Sequence, residues 1–166
     1  MSNLSIIIPF FNEENFLPKS LERVLNTNFF EEIILVDDFS TDNSSKIAED
    51  YSIKFSNIIY VKSKSKGGKG AAVSLGLKEA TGSYVVVHDA DLEYFPDDIV
   101  EMTKYINFEN SIILGSRFIG GKSRKNIYKR AIIANNLLSK FFSVLHNYKI
   151  TDIATCYKIM STEILK

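Results

Sequence analysis

The sequence has a single cysteine, no tryptophan, only three prolines and no excess charge: twenty lysines and arginines cancel twenty aspartates and glutamates. One thiol, Cys156, excludes an intramolecular disulfide and any cysteine-cluster zinc site, and it fits a reducing compartment, so a cytoplasmic location is expected. The zero net charge removes the usual electrostatic argument for a polyanion, and no nucleic-acid partner is expected. No segment reaches the ~18 consecutive apolar residues of a spanning helix, so membrane contact, if any, is expected to be peripheral. The opening "MSNLSIIIPFFNEE" lacks a basic region before its short apolar run, and no signal peptide is expected there.

What is present is ordinary in amount and sorted in place. With 166 residues, 45% of them hydrophobic, one domain can bury about 70% of its unfolded surface. Lysines crowd residues 62–69; Lys122, Arg124, Lys125, Lys129 and Arg130 occupy 122–130 without an acid; five carboxylates lie within 89–98. Apolar, β-branched runs at 4–10, 32–38, 57–63, 83–89 and 111–117 alternate with helical patterns. Continuous apolarity marks strands covered on both faces, and the alternation predicts a doubly wound α/β domain with a mostly parallel central sheet flanked by helices. Helices are expected over about 44–52, from Gly70 to a stop at Thr81-Gly82, and over about 126–146. In the last, Ile127, Ala131, Ala134, Leu138, Phe141 and Leu145 recur at helical spacing and are expected to pack into the core; a face resting on lipid is the alternative. The end of the chain, from Thr151, adds one short strand-like piece.

In such sheets ligands bind beyond the carboxyl ends of the strands. Asp89 and Asp91 end the fourth strand two residues apart, which in extended chain puts both side chains on one side, ~6.6 Å apart. At an effective dielectric of 20 their repulsion is ~2.5 kcal/mol, and a divalent cation reverses its sign. Oxygen ligands suit Mg²⁺ or Mn²⁺, with water and substrate phosphates completing the shell. Asp97 and Asp98 are better read as opposing a helix dipole. Asp37 and Asp38 end the second strand, where a carboxylate accepts bonds from a ribose or base; an Asx-turn is an equal reading. The "KGGKGAA" turn does not match G-x-x-x-x-G-K-[ST], and it fails G-x-G-x-x-G because Val73 stands where the third glycine belongs. It leaves a Gly-Lys turn whose backbone N–H groups and Lys69 can meet a nucleotide. Arg117, after the fifth strand, offers a planar fork for phosphate oxygens. His88, His146 and Cys156 have no catalytic context and are read as structural.

The ordered set "IIIPFFNEE", "ILVDDFSTDNS", "GKGAAVSLGLKEATGSYVVVHDADLEY", "GSRF" and "TDIATCYKI" resembles the family 2 glycosyltransferases, in particular their polyprenyl-phosphate group typified by dolichyl-phosphate mannosyltransferase. The resemblance covers nearly the whole chain. It implies a single Rossmann-like GT-A domain in which a nucleotide-sugar donor lies over the carboxyl edge of the sheet, its diphosphate on Mg²⁺ or Mn²⁺. By the same resemblance Pro9, Asn12 and Glu13 contact the nucleotide, Asp38 (with Asp37 beside it) faces the base, and Lys69 and Gly70 form the turn next to it. Asp89, Ala90 and Asp91 match the D-x-D motif, with Glu93 near the metal. Arg117 and Arg130 match basic groups that approach phosphates on the acceptor side, and Asp152 matches the acid of the "TD" motif.

The implied reaction is an inverting transfer of a hexose from a GDP-mannose- or UDP-glucose-type donor to a polyprenyl phosphate at the cytoplasmic face of a membrane. A phosphate acceptor, with a second pKa near ~6, hardly needs a base. A hydroxyl acceptor, on a glycan for example, requires one, and Asp152 is then the candidate, with a turn or cap residue as the alternative reading. A third reading is a nucleotide-sugar-binding module without turnover. Two departures from the family pattern bear on these: Phe39 replaces the glycine of the D-D-G-S turn, and relatives continue beyond the position of Lys166, so the acceptor side is expected to be incomplete.

Overall fold

In the computed structural model, residues 3–106, 112–119 and 129–165 are described. Lys122, Arg124, Lys125 and Ile127, singled out in the sequence, lie outside them, as do the side chains at positions 129 and 131. The chain alternates as expected through β1 (Leu4–Phe10), α1 (Leu17–Asn26), β2 (Glu32–Asp37), α2 (Ser44–Lys54), β3 (Ile58–Lys62), α3 (Lys69–Glu79), β4 (Tyr84–Val87) and α4 (Pro96–Thr103). It continues through β5 (Ile112–Leu114), α5 (Lys129–Leu145), β6 (Lys158–Ser161) and α6 (Thr162–Leu165). The strands form one sheet in the order β3-β2-β1-β4-β6-β5. The pairs β1·β2, β2·β3 and β1·β4 are parallel, whereas β6 runs antiparallel to both β4 and β5.

Two cores explain why β1 is apolar at nearly every position. Leu4, Ile6, Ile8 and Phe10 pack with Leu17, Leu21 and Val24 of α1 and with Ile33 and Leu35 of β2. Ile7 faces the other way, onto Ile34, Val36, Ala72 and Val85. The strand's period of two divides its side chains between the layers, and each fully buried isoleucine contributes about 2–3 kcal/mol.

The chain leaves β1 toward β2 on one side and reaches β4 on the other, so the sheet's switch point lies between β1 and β4, where such folds bind ligands. Pro9 helps to open it. The Ile7 carbonyl accepts the His88 N–H at 2.9 Å, so Pro9, two residues on, turns its donor-less nitrogen to the same side, past the end of β4.

Expectations fail at the fifth strand and at α5. The fifth strand is shorter than 111–117, ending at Leu114; Gly115 then donates to the Tyr157 carbonyl at 2.9 Å, and Arg117 sits in a turn. More consequentially, the α5 stripe does not enter the core. Ala134, Leu138, Phe141 and Leu145 are exposed, while Asn135 and Ser139 are buried. The helix buries a polar face because the segment that follows it offers unpaired backbone groups. Asn135 Oδ1 accepts from Ala154 N at 3.0 Å, Ser139 Oγ from Ile153 N at 3.0 Å and Ser143 Oγ from Ile150 N at 2.8 Å.

Candidate functional site

The loops after β1 and β2 are knitted into one wall. Asn12, in the left-handed region at φ 55°, accepts the Thr41 N–H on Oδ1 at 2.8 Å and donates its own N–H to Ser40 Oγ at 3.0 Å. Glu13 N–H donates to Ser44 Oγ at 2.8 Å. Glu14 N–H donates to Asp42 at 3.2 Å, and its carboxylate accepts two bonds from Asn43. Serine, threonine and asparagine satisfy the loop backbone here in place of a sheet ladder.

Asp37 and Asp38 bond to different segments. Asp37 is fully buried and accepts bonds from Ser40 N–H at 2.7 Å, Tyr60 OH at 3.1 Å and the Ser45 hydroxyl. Its oxygens clasp the β2–α2 turn, the arrangement that the Asx-turn reading describes. Asp38 is also buried, and its two oxygens accept the N–H groups of Gly67 and Gly68, each at 2.8 Å. The turn needs glycine: Gly68 has φ 81°, and a Cβ on Gly67 would lie 2.6 Å from that of Ala71. Asp38 therefore shapes the Gly-Lys turn that opens α3, whose first residues are Lys69 and Gly70. Beside it, Lys66 Nζ lies 3.6 Å from the centroid of the Phe11 ring.

The acidic motif lies across the cleft from that turn. β4 ends at Val87, so Asp89 to Asp91 form a turn rather than the extended strand expected, with Leu92 in the left-handed region at φ 63°. Ala90 is buried, Asp89 half-buried, and Asp91 and Glu93 are exposed. Asp91 Oδ1 accepts the Glu93 N–H at 3.0 Å, which fixes its orientation. Lys69 donates from its ammonium to Asp89. Burial of Lys69 opposes its charge, but the bond to Asp89 outweighs this and raises its pKa. Burial, and then the charges of Asp91, Asp42 and Asp89, raise the pKa of Glu13. Carboxylates that repel one another at a strand edge fit a hard divalent cation. Among the described residues no group of three or more ligating side chains forms a ready cage, so Asp89, Asp91 and Glu93 do not make one together.

Arg117 and Asp152 meet on the far side of this acidic turn. Arg117 donates from Nε and Nη2 to the two carboxylate oxygens, at 2.8 and 2.9 Å, and from its backbone N–H at 3.0 Å. Burial alone would raise the Asp152 pKa; the Arg117 guanidinium overcomes it and lowers the pKa. Lys158, which the sequence reading did not single out, lies nearby. Burial lowers its pKa, opposed by Cys156 and Asp152 and reinforced by Lys69 and Arg117. Arg117, Asp152 and Lys158 line an open cavity of about 1200 Å³, together with Leu114, Ile119 and Tyr148 among others. Arg130 is exposed in the first turn of α5 and takes no part in these bonds.

His88 supports the motif from beneath. It is buried, with Nδ1 2.8 Å from Tyr157 OH and Nε2 3.1 Å from Ser20 Oγ, and desolvation drives its pKa down to about 4. The visible signal was a polar ring inside an apolar strand, immediately before the acidic turn. Cys156 is likewise unsuited to nucleophilic work, since burial pushes its thiol up to about 12.

The chain is similar in sequence and in fold to known proteins. The chain is 34% identical over 140 residues to the dolichol-phosphate mannosyltransferase of Pyrococcus furiosus, covering 81% of this chain and 39% of that protein. It is 32% identical to the UDP-N-acetylglucosamine–dolichyl-phosphate N-acetylglucosaminyltransferase of Methanococcus voltae, covering 97% of this chain and 70% of that protein. Among solved structures it is similar to the mannosyltransferase of Pyrobaculum calidifontis in complex with GDP-Man and Mn²⁺, at 25% identity and TM-score 0.56, covering 62% of this chain and 32% of that one. Its fold also matches glucosyl-3-phosphoglycerate synthase from Mycobacterium tuberculosis at TM-score 0.71 and 19% identity, over 99% of this chain and 57% of that one. The architecture is that of the GT-A glycosyltransferases. With its residues 5–166 matched by the sequence profile of Glycosyl transferase family 2, the chain belongs to that family.

Proposed function

We propose that this domain binds a nucleotide-sugar donor with Mg²⁺ or Mn²⁺ and transfers its hexose, with inversion, to a polyprenyl phosphate. The observation that carries the reading is the meeting of three unlike groups at one sheet edge. A Gly-Lys turn opens a helix, the carboxylates of Asp89 and Asp91 follow β4 within electrostatic reach of Glu13, and the basic Arg117 and Lys158 stand nearby. Support for the acceptor class comes from the relatives named for dolichyl-phosphate substrates.

In this reading Asp89 and Asp91 would hold the cation, with Glu93 beside them, and the cation supplies charge neutralisation for the departing diphosphate. Pro9, Asn12 and Glu13 bound the nucleotide on the β1 side. Lys69 and the first N–H groups of α3, among them that of Gly70, face its phosphates. Ala90 brings backbone close to the donor. A dianionic phosphate oxygen of the acceptor attacks the anomeric carbon as the bond to the diphosphate oxygen breaks. Arg117 balances the acceptor's charge, and Arg130 serves it from α5. Asp152 orients Arg117 through the paired bonds described above. Peripheral contact with a membrane, at its cytoplasmic face, follows from such a substrate.

The test is transfer of radiolabelled sugar from GDP-mannose and from UDP-glucose into an organic-extractable polyprenyl phosphate product, with and without Mn²⁺. Metal-dependent extraction of label supports the reading. Donor binding without transfer to the lipid, but with transfer to a glycan hydroxyl, would move the acceptor assignment; binding without any transfer would leave a donor-binding module.

A further inference from the structure

Among the described residues, Asn135 Nδ2 is the buried side-chain donor left without an acceptor. Asn135 is 5% exposed on the inner face of α5, and its Oδ1 accepts the Ala154 N–H at 3.0 Å, which fixes the oxygen end of the amide. A buried N–H without a partner is unfavourable, and native proteins keep few of them. The Asp152 carboxylate is close by. Burial raises the Asp152 pKa, the bonds and charge of Arg117 lower it, and the Asn135 amide adds to the lowering. An amide does so through its N–H side. Nδ2 therefore lies within electrostatic reach of the carboxylate without a hydrogen bond to it.

Asp152 has room for one more donor. A carboxylate offers about four lone-pair sites. Oδ2 accepts Arg117 Nε at 2.8 Å and the Arg117 backbone N–H at 3.0 Å, whereas among the described residues Oδ1 accepts Nη2 alone, at 2.9 Å. Arg117 and Asp152 both line the open cavity, and Arg117 is the less buried, its side chain 19% exposed against 0%. A phosphate monoester in that cavity competes with Asp152 for the guanidinium fork. Moving Nη2 to the phosphate would strip Oδ1 of its donor inside a fully buried carboxylate, which is strongly unfavourable unless a replacement stands ready.

We propose that Asn135 is that replacement, a positioning residue whose Nδ2 bonds to Asp152 Oδ1 when Arg117 Nη2 turns to an acceptor phosphate. The inference rests on the phosphate-acceptor reading and gives Arg117 two states, one closed on Asp152 and one open to the cavity. The Arg117 backbone N–H stays on Oδ2 in both, so the change is confined to side chains. In the open state Asn135 grips 152–154 from α5 with both ends of its amide.

The experiment is proton–nitrogen correlation NMR of the isotope-labelled chain, titrated at neutral pH with inorganic phosphate and with a short, water-soluble isoprenyl phosphate. The Asn135 side-chain N–H signal, assigned by its absence in Asn135→Asp, should move downfield together with that of Arg117 Nε. In Arg117→Ala it should start downfield and move no further. Movement with both ligands assigns the response to the phosphate group itself, movement with the isoprenyl phosphate alone to the lipid monoester, and either supports the inference. If phosphate moves Arg117 Nε and leaves Asn135 still, the inference is overturned while the acceptor reading stands; if neither moves, both fall. In the transfer assay Asn135→Asp, which keeps the oxygen that holds Ala154, should raise the acceptor KM about tenfold, the value of one hydrogen bond to a charged group. The donor KM should stay near wild type. Asn135→Ala, which adds no charge, should raise the acceptor KM likewise, its lower urea midpoint reporting the lost bond to Ala154 separately. An unchanged acceptor KM in both variants overturns the inference.

Discussion

Arg117 and Asp152 hold each other through three hydrogen bonds of 2.8 to 3.0 Å, two from the guanidinium fork and one from the Arg117 backbone. The carboxylate is fully buried and the arginine side chain is 19% exposed. A carboxylate so engaged is a weak base, because its conjugate acid forms only below the ordinary carboxylate range.

Asp152→Asn should therefore act through Arg117. Losing one partner of a buried pair costs about 3–5 kcal/mol, and the partial exposure of Arg117 reduces this to about 2–3 kcal/mol. Asp152→Asn and Arg117→Ala should each slow transfer, and the double variant should be little worse than either alone. Chemical denaturation and a double-mutant cycle on kcat/KM check this. Full additivity, or an Asp152→Asn chain of normal stability that has lost only turnover, would return Asp152 to the role of base.

Lys69 and Asp89 pair across the cleft, and this pairing sets up a competition. Lys69→Met removes the internal counter-cation, so Mn²⁺ alone should bind several-fold more tightly, while a nucleoside diphosphate in Mn²⁺ should bind about tenfold less tightly, ~1.4 kcal/mol. Calorimetric titrations of each ligand decide it. Weaker Mn²⁺ binding in the variant would contradict the account.

Phe39 occupies the left-handed region at φ 68° and is 45% exposed. That conformation costs an L-residue about 1–2 kcal/mol, and glycine's extra unfolded entropy costs about 0.5–1 kcal/mol. Phe39→Gly should therefore stabilise the domain by about 0.5–1 kcal/mol, read from the urea midpoint. A loss would mean that the phenyl ring contributes packing greater than its backbone strain.

His88 makes stability depend on pH. Its folded pKa of about 4 lies below the ~6.5 of an unfolded histidine, so the unfolded chain takes up the proton first as pH falls. The contribution is complete above pH ~6.5 and is lost as pH falls toward 4, amounting to about 2 kcal/mol by pH 5. His88→Gln should flatten this part of the profile. An unchanged slope between pH 7 and 5 would show that the ring is not held neutral.

Much of this was legible because burial leaves a simple mark. The double-faced apolarity of Ile6, Ile7 and Ile8 marked a strand covered on both sides, and the charges after each strand marked the carboxyl edge of the sheet. The sequence sets Asp38 ahead of Asp37 for a ligand, but it does not show that one carboxylate bonds to Ser40 and Tyr60 and the other to Gly67 and Gly68. Helical spacing located α5 but not which of its faces is inside; there, backbone groups at 150–154 select Asn135, Ser139 and Ser143 over Leu138 and Phe141. Lys158 gave no sequence signal because its place beside Arg117 depends on β6 entering the sheet antiparallel between β4 and β5.

The most direct test of the central claim is the thermal stability of the wild type and Asp91→Asn against UDP, GDP and their sugar conjugates, with and without Mn²⁺. A ligand that binds only the folded state raises Tm in proportion to the logarithm of its saturation. The account predicts a shift for one nucleotide class that needs Mn²⁺ and disappears in Asp91→Asn, whose unliganded Tm stays near wild type. A nucleotide shift that is equal without metal, or that persists in Asp91→Asn, would contradict a donor site built on that carboxylate.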